Sequence, residues 1–291
     1  MPASRTQIWL LAIRPRTLIV SVSPVLVGLA FAARQVPLDG PVAVATLLTA
    51  ILLQIVANLA NDYADALTGV DDEDRLGPMR VTQSGLLDPA AVRRATIGIL
   101  ALAGILGVFL VYRGGWPILL VGAAAMGAAV GYSMGTKPLS WLGLGEFLAF
   151  VFFGPVAVAG TAYLQVGALD ATALLASLPA GFMAAGLMLV NNLRDIASDQ
   201  KAGKRTIAVR FGERAARNLY AALIVFAFLS IALLARTSGW PTLIAFFAAP
   251  IAAREIGRVG RDSGATLNGS LARTAMLSGV TGVLLALGLL W

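Results

Sequence analysis

The sequence predicts an all-α integral membrane protein with nine transmembrane helices. Its composition is the first reason, because 58% of the 291 residues are hydrophobic, 13% are charged and the mean hydropathy is +0.82. Soluble domains carry roughly 25% charged residues, so this chain is too apolar to be one. The other two reasons are the lengths of its apolar segments and the distribution of its basic residues.

Nine segments are long and apolar enough to cross the hydrocarbon core, which takes about 20 helical residues. In chain order they are 17–33, 41–61, 92–112, 116–134, 146–164, 172–193, 218–235, 239–253 and 271–291. The eighth is the shortest and contains Pro250 near its end. The first follows Arg5, Arg14 and Arg16 as in a signal peptide, but eight more segments come after it. We therefore interpret it as the first membrane helix.

The basic residues lie almost entirely on one side of this predicted topology. Of the 22 Lys and Arg residues, 19 fall on the side of the N-terminus, and only Arg34, Arg113 and Arg236 fall on the other. Basic loops remain in the cytoplasm. The split therefore predicts a bacterial inner-membrane protein with a cytoplasmic N-terminus, two long cytoplasmic loops and an outside C-terminus. It also explains the net charge of +7 without a nucleic-acid partner.

Cysteine and histidine are both absent from the sequence. Disulfide scaffolds, thiol chemistry, histidine acid–base catalysis and zinc sites built on these residues are therefore excluded. Any metal ion has to be bound through oxygen atoms.

An acidic pattern occurs twice, each time at the cytoplasmic end of an even-numbered predicted helix. Both copies read Asn-x-x-x-Asp, with another Asp three or four residues later. The copies are Asn58, Asp62 and Asp65, and Asn191, Asp195 and Asp199. Their spacing places each trio on one helical face. The chain is therefore predicted to be a single domain, residues 1–291, with a two-fold internal repeat carrying motifs at 58–74 and 191–206.

These acids add negative charge where a helix C-terminus is already negative, so they need cations. Amide and carboxylate oxygens suit Mg²⁺, which also takes phosphate ligands. The alternative is that they are solvated loop ends. Several cations reach the same face and suit a pyrophosphate, although the topology rule alone explains most of them. They are Arg75, Arg80, Lys137, Arg194, Lys201, Lys204 and Arg205.

The two motifs with their flanking residues, from Asn58 to Pro78 and from Asn191 to Thr206, resemble the aspartate-rich motifs of the UbiA prenyltransferase superfamily. Within it, Arg14-Pro15-Arg16-Thr17, Gly77-Pro78 and the stretch from Lys137 to Glu146 resemble the branch that prenylates 1,4-dihydroxy-2-naphthoate for menaquinone. The resemblance extends from residue 14 to the last helix.

This resemblance implies a bundle around a central cavity and a polyprenyl diphosphate bound through Mg²⁺. The implied metal ligands are Asn58, Asp62, Asp65, Asp71, Asn191, Asp195 and Asp199, with Asp72 and Asp74 as alternatives to Asp71. Arg75, Lys137 and Lys204 would bind the diphosphate. Tyr132 would lie near the allylic carbon, and Lys137 or Arg16 would bind the carboxylate of the acceptor.

The expected reaction is transfer of a polyprenyl group to 1,4-dihydroxy-2-naphthoate, releasing pyrophosphate and CO₂ and giving demethylmenaquinol. One alternative is another aromatic acceptor, such as 4-hydroxybenzoate. A cation-coupled transporter is the alternative of a different class. The acids favour the enzyme because they lie at helix ends on one side, whereas transporter sites lie near the bilayer midplane. The expected partners are the two substrates and the lipid bilayer, with no obligatory protein partner.

Overall fold

The computed structural model describes residues 4–68, 76–77, 80–135 and 138–291, without the side chains of Asp65 and Thr68. Within these ranges the chain is helical and contains no strand. The α-helices are α1 (Arg5–Ile13), α2 (Pro15–Ala33), α3 (Gly40–Thr68), α4 (Pro89–Gly131), α5 (Gly145–Val151), α6 (Gly160–Val166), α7 (Ala171–Arg194), α8 (Ile196–Lys201), α9 (Ile207–Ser238), α10 (Ala249–Val259) and α11 (Leu267–Leu289). A π-helix, Phe152–Ala159, joins α5 to α6, and 3₁₀-helices cover Leu139–Leu142, Trp240–Ala248 and Gly264–Thr266.

All nine predicted segments fall on helices of the described chain. Within the described residues, seven helices are long and apolar enough to cross a membrane when α5, the π-helix and α6 are counted as one continuous helix. One of them, α4, has 43 residues and would be about 65 Å long if straight, twice the thickness of the hydrocarbon core. It breaks at Gly115, whose φ is 69°, and so supplies two of the predicted segments. The eighth segment corresponds to the 3₁₀-helix Trp240–Ala248 followed by α10.

The first membrane helix is preceded by a separate helix, α1, that hydropathy did not predict. The break lies at Arg14, the only described non-glycine residue with a positive φ, at 56°. Pro15 follows it and begins α2. Proline disfavours the helical conformation in the residue before it and is well suited to the first turn of a helix. The dipeptide therefore ends one helix and starts the next.

The helices pack through small residues and two main groups of apolar side chains. The larger group draws on α2, α7, α9, α10 and α11, and the smaller one joins α1 to α3 and to the segment before α4. Where the π-helix crosses α7, a methyl group on Gly154 would lie 2.9 Å from the Cα of Gly181. Only glycine allows two backbones to approach so closely.

Polar contacts join the loops at one end of the bundle. The sequence predicts that these loops lie on the side of the membrane with few basic residues. Arg113 forms an ion pair with Asp39 at 3.1 Å, and the backbone N–H of Asp39 donates to Gln165 Oε1 at 2.7 Å. Arg34 donates to the carbonyl of Ser238. The alternation of loops between two ends of the bundle therefore agrees with the predicted topology. The cytoplasmic orientation of the opposite end stays a prediction.

Candidate active site

A cavity of about 860 Å³ opens at the end of the bundle opposite to these contacts. Its wall combines α1, α2, α3, α7, α8 and α11 with the segment between α4 and α5. Seven predicted site residues line it: Arg16, Asn58, Tyr132, Asn191, Asp195, Asp199 and Lys204. The side chain of Asp65 and the residues Asp71, Arg75 and Lys137 lie outside the described part of the chain. The cavity thus brings together residues from both acidic motifs.

Asn58 connects the first motif to the break between α1 and α2. Its Nδ2 donates to the carbonyl of Ile13 at 2.8 Å and to Thr17 Oγ1 at 3.1 Å. Its Oδ1 accepts a longer hydrogen bond, 3.4 Å, from Gln54. The amide group therefore holds the start of α2 against α3. Only its oxygen could act as the predicted metal ligand.

Asp62 lies one turn after Asn58 and is 2% exposed. It does not line the cavity, and within the described residues neither carboxylate oxygen has a hydrogen-bond partner. Nearby, Thr82 Oγ1 donates to the backbone carbonyl of Asp62 at 2.8 Å, and Arg80 donates to Asn61 Oδ1 at 2.6 Å. Burying a carboxylate without hydrogen-bond partners is costly, and the charges of Arg80 and Arg14 offset that cost only in part. This environment suits a cation bound beside Asp62.

Arg194 organises the second motif. Its Nε and Nη2 donate to both carboxylate oxygens of Asp195, at 2.7 and 2.6 Å, and Nη2 also donates to Asn191 Oδ1 at 2.9 Å. Its Nη1 donates to Asn268 Oδ1 at 3.0 Å, and Asn268 donates to the carbonyl of Leu76 at 2.6 Å. Arg194 therefore links α7 to α11 and, through Asn268, to the loop of the first motif.

Asp199 and Lys204 also form an ion pair in this wall, with 2.9 Å between Nζ and Oδ1. The backbone N–H of Lys204 also donates to the carbonyl of Asp199 at 2.9 Å. Burial raises the pKa of Asp199 above its ordinary value, and the Lys204 ammonium opposes this shift. Both side chains line the cavity, so an entering ligand meets a carboxylate and an ammonium already held in place.

The donor set fits a hard divalent ion. Asp195 and Asp199 line the cavity, and the buried oxygens of Asp62 have no hydrogen-bond donor within the described chain. The described residues contain no group of three acids close enough to hold a metal by themselves. The predicted ligand set, however, also includes Asp65 and Asp71. Because Mg²⁺ binds few protein carboxylates and takes phosphates and water as its other ligands, the residues present fit it.

Tyr132 follows the last residue of α4 and faces the cavity. Its hydroxyl donates to Met188 Sδ at 3.2 Å. A methyl group on Gly145 would lie 2.9 Å from the Tyr132 hydroxyl and 3.2 Å from Met188 Cγ. Met188 and Gly145 therefore fix the position of the ring. Sequence reasoning did not assign Met188 a role, because nothing in the pattern of α7 pairs it with residue 132.

The sequence profile of the UbiA prenyltransferase family matches residues 21–277. The chain belongs to this family. It is 37% identical to the 1,4-dihydroxy-2-naphthoate octaprenyltransferase of Escherichia coli (strain K12), over 98% of this chain and 96% of the relative. It is 38% identical to the enzyme of the same name from Mycobacterium tuberculosis, over 88% of this chain and 87% of the relative.

Solved UbiA structures share the fold of the chain. The apo structure of a UbiA homolog from Aeropyrum pernix K1 superposes with a TM-score of 0.70 at 18% identity, covering 93% of this chain and 96% of the homolog. A UbiA homolog from Archaeoglobus fulgidus bound to DMAPP and Mg²⁺ gives a TM-score of 0.63 at 17% identity, covering 95% and 98%. These similarities confirm the prediction of a UbiA-like helical membrane bundle.

Proposed function

We propose that the chain transfers a polyprenyl group from a polyprenyl diphosphate to 1,4-dihydroxy-2-naphthoate, giving demethylmenaquinol, pyrophosphate and CO₂. The observation that carries this proposal is the identity of 37% to a 1,4-dihydroxy-2-naphthoate octaprenyltransferase over 98% of the chain. Membership of a prenyltransferase family removes the support for the transporter alternative. The cavity supports the chemistry, because residues of both acidic motifs lie around one space.

The diphosphate is proposed to bind at the mouth of the cavity, where the charged residues lie. Asp62, Asp65, Asp195 and Asp199 would hold the metal, with the amide oxygens of Asn58 and Asn191 and one acid of the first loop, Asp71. When bound, Mg²⁺ supplies positive charge that stabilises the departing pyrophosphate. Lys204, Arg194 and Arg80 add fixed positive charge in the cavity wall, and Arg75 and Lys137 are proposed to add more.

The prenyl group is proposed to react beside Tyr132. Breaking the C1–O bond leaves the electron pair on pyrophosphate and positive charge on the allylic carbon, which the face of a tyrosine ring stabilises. The Met188 and Gly145 contacts keep that ring in place. The prenyl chain can lie along the apolar part of the wall, which includes Val20, Phe153 and Leu187.

The aromatic acceptor supplies the electrons for the new carbon–carbon bond. Attack by the ring carbon that bears the carboxylate forms the bond to C1, and departure of CO₂ returns the electron pair to the ring. The carboxylate needs a cation before it leaves. Arg16 lines the cavity and is proposed to bind it, with Lys137 as the alternative.

A comparison of two acceptors, each supplied separately, tests the proposal. Purified protein receives Mg²⁺, a polyprenyl diphosphate and either 1,4-dihydroxy-2-naphthoate or 4-hydroxybenzoate, and the products are identified by mass. We expect a prenylated product without a carboxylate from the naphthoate, and no turnover in EDTA. Reaction with 4-hydroxybenzoate alone would contradict the acceptor assignment and leave the prenyltransferase assignment intact. Undiminished turnover in EDTA would contradict the metal requirement.

A further inference from the structure

Glu146 and Asn192 form a buried polar pair that the proposed chemistry does not use, and Asn192 lines the cavity. Glu146 lies in the first turn of α5 and Asn192 in the last turns of α7, and each is 5% exposed. Asn192 Nδ2 donates to Glu146 Oε1 at 2.9 Å. Within the described residues the other carboxylate oxygen, Oε2, has no hydrogen-bond partner. An ionisable group so deeply buried calls for a reason beyond packing.

Asn192 has one polar atom left for a ligand. The residue lines the cavity, and its Nδ2 is engaged by Glu146, while its Oδ1 has no hydrogen-bond partner in the described part of the chain. The neighbouring Asn191 differs, because its Oδ1 already accepts from Arg194 at 2.9 Å. Of these two amide oxygens at the end of α7, that of Asn192 is therefore the open one.

The position of Asn192 along α7 indicates which ligand it meets. It lies one helical turn after Met188, whose sulfur contacts the Tyr132 hydroxyl, and almost one turn before Asp195. Residues spaced by three or four share a helical face. Asn192 therefore lies between the ring proposed to stabilise the allylic carbon and the acid proposed to hold the metal. The acceptor ring has to reach this region to attack C1.

We propose that Glu146 is a positioning residue that fixes the amide of Asn192 so that Asn192 Oδ1 accepts a hydrogen bond from a hydroxyl of the aromatic acceptor. Glu146 Oε1 accepts from the NH₂ group of Asn192, which leaves the amide oxygen of Asn192 as the atom available to a ligand. A site built to bind a hydroxyl discriminates against ligands that lack one. The pair thus selects acceptors that carry a hydroxyl at the ring position facing Asn192. This inference rests on the proposed function.

Binding of acceptor analogues to the wild-type protein is the first test. The two monohydroxy-2-naphthoates that lack either the 1- or the 4-hydroxyl are measured as competitive inhibitors against 1,4-dihydroxy-2-naphthoate. We expect at least one to bind about tenfold more weakly than the dihydroxy compound, as for a lost hydrogen bond. Equal binding of all three compounds would overturn the inference whether or not any variant folds.

Variants of the pair are the second test. Glu146→Ala and Asn192→Ala should each raise KM for the naphthoate about tenfold and leave KM for the prenyl diphosphate within about twofold. The double variant should be no worse than Asn192→Ala, because Glu146 acts through that residue. Glu146→Gln keeps an oxygen that accepts from Asn192 and should restore most of the affinity. It also provides a folded variant if Glu146→Ala unfolds.

Tyr220→Phe is the matched control, because it removes a buried hydrogen bond, 2.9 Å to Thr274, from residues that do not line the cavity. It should change neither KM. If Glu146→Ala or Asn192→Ala instead raises KM for the diphosphate or the Mg²⁺ requirement, Asn192 binds metal and the inference is wrong. Additive effects in the double variant would also overturn it. If the wild type turns over no naphthoate at all, the proposed function is wrong. This outcome is distinct from those that overturn the inference.

Discussion

Asp62 and Asp195 occupy equivalent positions in the two acidic motifs, but their surroundings differ. Asp62 is buried with no hydrogen bond to its carboxylate oxygens from the described residues, whereas both oxygens of Asp195 accept from Arg194. The same substitution should therefore affect stability differently at the two sites. The repeat in the sequence does not reveal this difference. The ion pair between Asp195 and Arg194 depends on the end of α7, which lies at Arg194.

Asp62→Asn and Asp195→Asn should both lose most activity, since a neutral amide is a weaker ligand for Mg²⁺ than a carboxylate. Asp62→Asn should not lower the melting temperature, because it removes a buried charge whose cost of burial the charges of Arg80 and Arg14 offset only in part. Asp195→Asn should cost about 1–3 kcal/mol of stability, because it leaves a buried donor of Arg194 unpaired. Thermal unfolding in detergent compares the two. Equal stability losses would contradict this account of the surroundings, and normal turnover would contradict the metal site.

The Tyr132 ring should matter more than its hydroxyl. Tyr132→Phe keeps the ring face and loses only a weak hydrogen bond to sulfur, so we expect kcat to fall less than tenfold. Tyr132→Leu should lose a further factor of about ten or more. Gly145→Ala should resemble Tyr132→Leu, because its methyl group meets the hydroxyl at 2.9 Å. Wild-type kcat in Tyr132→Leu would exclude the ring from stabilising the allylic carbon.

Helix α1 shows what hydropathy predicts and what it misses at the scale of elements. The apolar segments fall on helices because a membrane span is defined by length and composition. Pro15 favours the break at Arg14 locally, but hydrogen bonds from Asn58, which is 44 residues away in the sequence, hold the two sides of the break together. The contacts of Glu146 with Asn192 and of Tyr132 with Met188 also join different helices, so no periodicity within one helix could predict them.

Asn58→Asp should loosen the junction between α1 and α2. The carboxylate keeps an oxygen for metal but has no N–H to donate to Ile13 and Thr17. In hydrogen exchange without metal, the amides of residues 10–17 should exchange faster than in the wild type, while those of α9 should not change. Unchanged exchange at residues 10–17 would mean that Asn58 does not hold the junction.

The whole bundle should have one orientation in the membrane, with the cavity toward the cytoplasm. Because the chain lacks cysteine, single-cysteine variants report position without background. Arg205→Cys should react with a membrane-impermeant thiol reagent only after the cells are opened. Leu38→Cys, at the opposite end of the bundle, should react in intact cells once the outer membrane has been made permeable. Leu38 is 43% exposed, which makes it accessible. The reverse pattern would invert the predicted topology.

Loss of the acceptor carboxylate during prenyl transfer is the central claim at the scale of the whole enzyme. It is tested most directly with 1,4-dihydroxy-2-naphthoate labelled with ¹³C in the carboxylate, by measuring labelled CO₂ and pyrophosphate in the same reaction. The account predicts one labelled CO₂ for each pyrophosphate released, and none without the prenyl diphosphate. Pyrophosphate release with the label retained in the prenylated product would contradict it.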